Sequence, residues 1–448
     1  MVESRFHTPE VIRFARLLSV ARKPSDLLMA EAVLGRDSYG ISTMVSFPFY
    51  EASSYFHSLT IPSTLRREYI VPYLCHPYVY FINHEPLVRP SLRIDYTVTF
   101  DTNFASYINR FIRGESLKGQ QDEFMHVIND ILDHDLNFDP SFYFIENIKK
   151  AYPIALRIKD EGTNSPQVFW ESLDKDFRHN IISLELFLGV DCNHYQKTRE
   201  LKFDISIEEA VRKSVGFTYW FYASAEGQEL ISDFLFRQKA ILLQLLAILR
   251  VQFSSSRGAR NKIKEFLEFV QEKWVYSDRE TIVAHKYFKD RKMIPLLGKI
   301  NRGGVQRRLM EKIDNLAWDM AAPQSMERMA VLQEAGDYMV PFFLTFDQKL
   351  RELIRCYPVK AVIIDRRSGG VLSIPELSTR EYFDKEGCGD IVTSFFSEEK
   401  RRERFSREVP TLEILSDMIN CEYRELRAIL GLSIEDLTKY SGDIIPNL

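Results

Sequence analysis

The sequence predicts an α/β fold: a doubly wound parallel sheet flanked by helices, with a large mainly helical insertion and extensions at both ends. Three observations lead there. YTVTFDTNF (96–104) alternates β-branched and aromatic residues, then turns polar at Asp101, with Thr102 and Asn103 suited to start the helix FASYINRFI. YMVPFFLTF (338–346) is a second apolar strand, leading into Asp347 and the helix QKLRELIRC. VKAVIIDR (359–366) is a third. Strand, helix and strand with short joints read as a βαβ unit, which requires a parallel sheet.

Along the chain, residues 1–94 read as a separate N-terminal region of unassigned role, with an amphipathic helix near 8–21 and β-prone aromatic segments such as EYIVPYLCHPYVYFI. The two-proline stretch NHEPLVRPSLR reads as a linker. Residues 95–151 give the first part of the core: strand, helices, then DPSFYFIENIKKAY, where Asp139 suits an N-cap and Pro140 a first helical turn. Residues 152–304 read as the helical insertion, 305–370 as the second part of the core and 371–448 as a helical C-terminal region.

Composition bounds the function. The chain has 448 residues, 45% hydrophobic and 27% charged, with a net charge of −4, so any nucleic-acid surface must be a local patch. Five scattered cysteines (Cys75, Cys192, Cys356, Cys388, Cys421) imply a reducing, cytoplasmic setting without a disulfide framework. Cys75–His76 and Cys192/His194 are spaced too closely for a usual zinc knuckle, so no structural zinc is expected. The N-terminus carries no signal-peptide core. FLFRQKAILLQLLAILRV (234–251) contains Arg237, Lys239 and Arg250, and reads as a buried helix rather than a membrane span.

The chemistry is expected from four acids. Asp101 and Asp347 each follow a buried strand, and in a parallel sheet both would lie at the carboxyl edge, where open α/β sheets place their sites. Glu146 in FYFIENIKK and Asp319 in NLAWDM stand on helices that could flank that edge. Each acid also has a structural reading. Glu146 pairs with Lys150 one turn on, and Asp347 caps its helix. In the opening stretch, Thr102 or Asn103 is the cap and Asp101 is loop. That reading is weakest for Asp319, because Pro323 is expected to end or kink its helix and leave an anion near a carboxyl terminus. Four converging carboxylates would repel one another unless a hard cation, Mg²⁺ or Mn²⁺, sat between them.

The order TFDTN, YFIEN, NLAWDM, LTFDQKL resembles the PIN-domain (PIN-like) nucleases. The resemblance covers about 95–151 and 305–366. It implies that Asp101, Glu146, Asp319 and Asp347 form a Mg²⁺ or Mn²⁺ site, supported by Asn103 and Thr345. Glu185 in SLELFLG is the substitute for Glu146, because about 170 residues separate the second and third acids. The implied activity is hydrolysis of RNA phosphodiesters through a metal-activated water, leaving a 5′-phosphate and a 3′-hydroxyl. DNA cleavage is the alternative, and a non-catalytic interaction protein is the rival of a different class. The large additions to the core imply a regulatory protein partner or assembly.

A substrate needs a basic approach. Lys286, Lys289, Arg291, Lys292, Lys299, Arg302, Arg307 and Arg308 fall in a stretch whose only acid is Asp290, with Gly298 and Gly303–Gly304 leaving room for phosphates. A solvated loop is the competing reading. FTYWFY (217–222) offers faces for stacked bases, although core packing is the stronger expectation. The sequence holds no phosphate-binding P-loop, G-x-S-x-G, H-E-x-x-H or dinucleotide fingerprint.

Overall fold

The computed structural model describes residues 8–34, 40–83, 94–134, 136–163, 165–273, 275–301, 308–331, 338–397, 399–400, 403, 406 and 408–432. The chain divides into two compact units. The first comprises Met1–Ile94, Phe236–Val340 and Asp347–Leu448; the second comprises Asp95–Leu235 and Pro341–Phe346.

In chain order, the first segment gives α1 (Pro9–Val20), α2 (Leu27–Leu34), β1 (Ile41–Phe47), β2 (His57–Thr60), β3 (Ile70–Pro72) and β4 (Tyr78–Asn83). Then come β5 (Ile94–Phe100), α3 (Thr102–Ile112), α4 (Gln121–Asp133), β6 (Asn137–Asp139), α5 (Ser141–Glu146) and α6 (Ile148–Asp160). Helices α7 (Pro166–Ser172), α8 (Lys175–Leu188), α9 (Cys192–Thr198), α10 (Ile207–Ala223), α11 (Ala225–Ser254), α12 (Ala259–Lys273), α13 (Asp278–Lys289) and α14 (Leu309–Met329) follow. The chain continues with β7 (Tyr338–Leu344), α15 (Gln348–Arg355), β8 (Val359–Asp365), β9 (Gly370–Pro375), α16 (Thr379–Lys385), α17 (Gly389–Phe395) and α18 (Leu412–Leu430).

The first unit is organised by a five-stranded sheet in the order β2-β4-β1-β8-β9. Its neighbours pair antiparallel, with Met44 opposite Phe81 on one side and Val362 on the other. Strands β1 and β8 are buried along their whole length, so both faces are covered. One face takes α1 and α2. Val11, Phe14 and Leu18, at helical spacing, pack with Val45, Phe47, Tyr80 and Ile363. Helix α11 contains the run Ile241–Leu249, buried almost throughout, which accounts for the apolar stretch of the sequence. No helix among the described residues is long and apolar enough to cross a membrane.

In the second unit β5 lies between β7 and β6. Strands β5 and β6 are parallel (Val98 opposite Phe138), joined through α3 and α4. Helices α5, α6, α8 and α10 build an aromatic core in which Phe144 meets Phe217, Phe221 and Tyr222.

The chain is therefore mixed α/β and mostly helical, but the expected single, doubly wound parallel sheet is corrected. Strands β7 and β8 stand in different sheets, so β7, α15 and β8 do not form a βαβ unit. β8 is the antiparallel neighbour of β1 and β9. Burial on both faces makes a strand apolar throughout in either kind of sheet, so its composition did not fix its direction. The Arg366–Gly369 turn, with Gly369 at φ +65°, folds β9 back on β8, so residues 370–375 are strand rather than part of a helical region.

Candidate carboxylate site

Asp101 leaves β5 in an extended conformation and is itself the N-cap of α3: Oδ1 accepts the Phe104 N–H at 2.9 Å. This corrects the assignment of the cap to Thr102 or Asn103. Both are inside the first turn, and Asn103 is exposed. The other oxygen, Oδ2, accepts the Thr345 hydroxyl at 2.6 Å. The Asp101 N–H meets the Leu344 carbonyl at 3.3 Å, so the ends of β5 and β7 are held side by side. Asp101 is 6% exposed and Thr345 fully buried.

Glu146 ends α5 and turns to the same helix start. Its Oε2 accepts both the backbone N–H of Thr102 at 2.9 Å and the Thr102 hydroxyl. Two carboxylates thus serve the amino terminus of α3, one at its first and one at its third amide, where the helix dipole favours negative charge. Thr102 was not singled out as a partner in sequence, because its contact with Glu146 spans 44 residues. Asp139 accepts the N–H and hydroxyl of Ser141, but the residue at the N-cap of α5 is Pro140, so the expected cap lies one residue further on.

The other two acids belong to the first unit. Asp347 caps α15, accepting from Lys349 N–H at 2.8 Å and Leu350 N–H at 3.3 Å. Asp319 lies in the middle of α14, not near its end: the helix continues through Pro323 to Met329. Proline there withholds the N–H that would meet the Asp319 carbonyl, yet Trp318, Ala322 and Met326 are buried, and packing carries the helix across the gap. The Asp319 carboxylate stands 3.9 Å from Lys299 Nζ. Glu185, on α8 in the second unit, is half-buried, and burial pushes its carboxyl above the usual range against the pull of Lys213.

The basic stretch is engaged within the first unit. Lys286 donates to the Cys356 carbonyl, Lys289 to Glu386 at 2.6 Å, and Arg291 to Ile300 and Asn301 while stacking over Phe253. Arg308 lies 3.6 Å from Glu311, and Lys292 is exposed. Arg302, Arg307 and Gly303–Gly304 lie outside the described residues. In FTYWFY, Phe221 and Tyr222 are core and Trp220 is 40% exposed.

Among the described residues, the only group of three or more His, Cys, Asp or Glu with ligand atoms within 4.8 Å of one another is Cys75, His76 and Glu376. The four expected acids are not such a group, and three of them are bound to helix starts: Asp101 and Glu146 at α3, and Asp347 at α15. Burial, reinforced by Glu376, pushes the Cys75 thiol up to about 12.

Fold and site together define a mostly helical α/β protein with two carboxylates at one helix start. Compared with known proteins, the chain matches no family model, no curated protein and no solved structure.

Proposed function

We propose that the chain is a Mg²⁺- or Mn²⁺-dependent nuclease of PIN-like type, hydrolysing RNA in the cytoplasm under the control of a protein partner. The observation that carries this reading is the bond from Thr345 to Asp101, in which the hydroxyl residue of the T-F-D turn fixes the carboxylate that ends β5. Glu146 at the same helix start is the second support. Capping does not compete with ligation, because a carboxylate has about four lone-pair sites. Oxygen donors select a hard cation, which would lower the pKa of a bound water and offset the charge growing on the phosphate. Asp101 and Glu146 are ligands in this reading. Asp319 and Asp347 enter it from the sequence resemblance alone.

The test is cleavage of labelled single-stranded RNA and DNA with Mn²⁺ by the parent, Asp101→Asn and Asp347→Asn. Asparagine still caps a helix, so the changes remove charge and spare the fold. Loss of RNA cleavage in both, with unchanged unfolding, supports the reading. Cleavage confined to DNA changes the substrate, and cleavage surviving both changes overturns the site.

A second reading, an interaction protein without catalysis, is favoured by one observation: Asp101 and Asp347 both act as helix caps. It stands if the parent cuts neither nucleic acid.

A further inference from the structure

We infer that Cys75, His76 and Glu376 form a zinc site of the first unit, with its fourth position open to a neighbouring cavity. Sγ of Cys75, a ring nitrogen of His76 and a carboxylate oxygen of Glu376 lie within 4.8 Å of one another. His76 Nε2 and Glu376 Oε1 are already 2.8 Å apart. With zinc about 2.0–2.3 Å from each donor, tetrahedral donor pairs sit about 3.3–3.7 Å apart. The present separations, all within 4.8 Å, adjust to that spacing on binding in this proposal.

The backbone under the site is fixed. The Cys75 N–H binds the Val359 carbonyl at 2.8 Å, and the Glu376 N–H binds the carbonyl of the preceding Pro358 at 2.9 Å. Ligands 300 residues apart in sequence therefore hang from one dipeptide. Tyr73 adds a tie at 2.5 Å to Ser373 on β9. This arrangement answers the spacing objection to zinc: the adjacent Cys75 and His76 make no knuckle, but they gain their third donor from beyond β9.

The donor set also fits in charge and kind. Thiolate, imidazole and carboxylate suit a borderline divalent ion, not Mg²⁺. The thiol proton leaves to solvent on binding, and Zn²⁺ with one thiolate and one carboxylate is a neutral centre. Three protein ligands leave one position for water, the pattern of reactive rather than purely structural zinc.

A cavity adjoins the site. Cys75 and Glu376 line a cavity of about 290 Å³. Arg279 lines the same cavity, is 8% exposed, and keeps a buried Nε with no hydrogen-bond partner.

The experiment is metal titration of the full chain after chelator treatment, near neutral pH. Zn²⁺ is measured by competition with a chromogenic chelator, and Co²⁺ by its spectrum. One equivalent per chain is expected, with a thiolate-to-cobalt charge-transfer band. Cys75→Ala should abolish the band, and Glu376→Gln, at a partly exposed position that spares the fold, should weaken zinc by ~100-fold or more, beyond the range of a lost outer partner. Cys356→Ala should leave both unchanged. Substoichiometric uptake, a band surviving Cys75→Ala, or unaltered affinity in Glu376→Gln would overturn the site. None of these readings depends on nuclease activity.

Discussion

Thr345, one residue beyond β7, donates its hydroxyl to Oδ2 of Asp101, one residue beyond β5, across 2.6 Å. The acid's other oxygen holds the third amide of α3. A single buried carboxylate thus couples a helix start to a strand end. Asp101→Ala removes the cap, worth about 0.5–2 kcal/mol, and leaves the Thr345 hydroxyl buried without this acceptor, a further ~1–3 kcal/mol. Thr345→Val removes a charge-assisted bond worth ~1.5–3 kcal/mol. Asp101→Asn costs least, since the amide oxygen still caps and the Thr345 hydroxyl can turn to accept from the amide nitrogen. Urea unfolding should rank Asp101→Ala as the most destabilised and Asp101→Asn as the least. The reverse order would detach stability from this bond.

Glu146 offers a separate measurement. One of its oxygens accepts two donors from Thr102. Glu146→Ala should lower stability by about 1–2 kcal/mol, because the first amide of α3 and a hydroxyl lose their acceptor. Glu146→Gln retains an oxygen there and should lose less. In a double-mutant cycle with Thr102→Val, a coupling of about 1 kcal/mol is expected. Strict additivity would show that the hydroxyl bond contributes nothing, since the Thr102 N–H is still present in Thr102→Val.

Phe144 sits 1% exposed among Phe177, Phe217, Phe221 and Tyr222. Its carbonyl accepts the buried Tyr222 hydroxyl at 2.7 Å. Phe144→Ala should cost about 3–5 kcal/mol, as for other buried aromatic truncations. Tyr222→Phe should cost about 1 kcal/mol, the net value of one hydrogen bond. Both can be read from chemical unfolding of the full chain. A loss below ~1 kcal/mol for Phe144→Ala would mean that this cluster collapses around the gap or contributes little.

The parts of this structure legible in sequence are those set by neighbours within one or two turns. The period of residues 8–21 found α1, the apolar run at 234–251 found the buried centre of α11, and the Asp347–Leu350 spacing gave a cap. What escaped was fixed by partners far along the chain. Thr345 reaches Asp101 across 244 residues, and β8 joins β1 across more than 300. An apolar strand carries no mark of its partner or direction. Pro323 misled for a related reason: helix propensity is local, while the buried side chains that carry α14 past it are tertiary. Glu376 escaped as well, since nothing in IPELS announces the Cys75–His76 pair.

Stability against acid should depend on His285. This residue of α13 is 2% exposed, with Nδ1 3.0 Å from the Tyr382 hydroxyl and Nε2 3.9 Å from Cys388 Sγ. Phe383 packs edge-on to its ring. Burial lowers its pKa below the ordinary value, Glu386 opposes that shift, and Lys289 adds to it. Lys289 and Glu386 are themselves paired at 2.6 Å, so neither acts as an isolated charge. In the folded chain the imidazole therefore stays neutral while the unfolded chain takes up a proton near pH ~6.5. Between the two values the unfolded state binds more protons, so stability rises with pH. The contribution is fully present above the unfolded value and is lost as pH falls through the lowered, folded one. Thermal unfolding midpoints measured from about pH 7.5 down to about pH 5.5 should decline for the parent. His285→Gln keeps a group able to bond Tyr382 but has nothing to titrate, so its decline should be shallower, with the Lys289–Glu386 pair intact as the internal control. Parallel curves for parent and variant would assign the acid sensitivity to other groups.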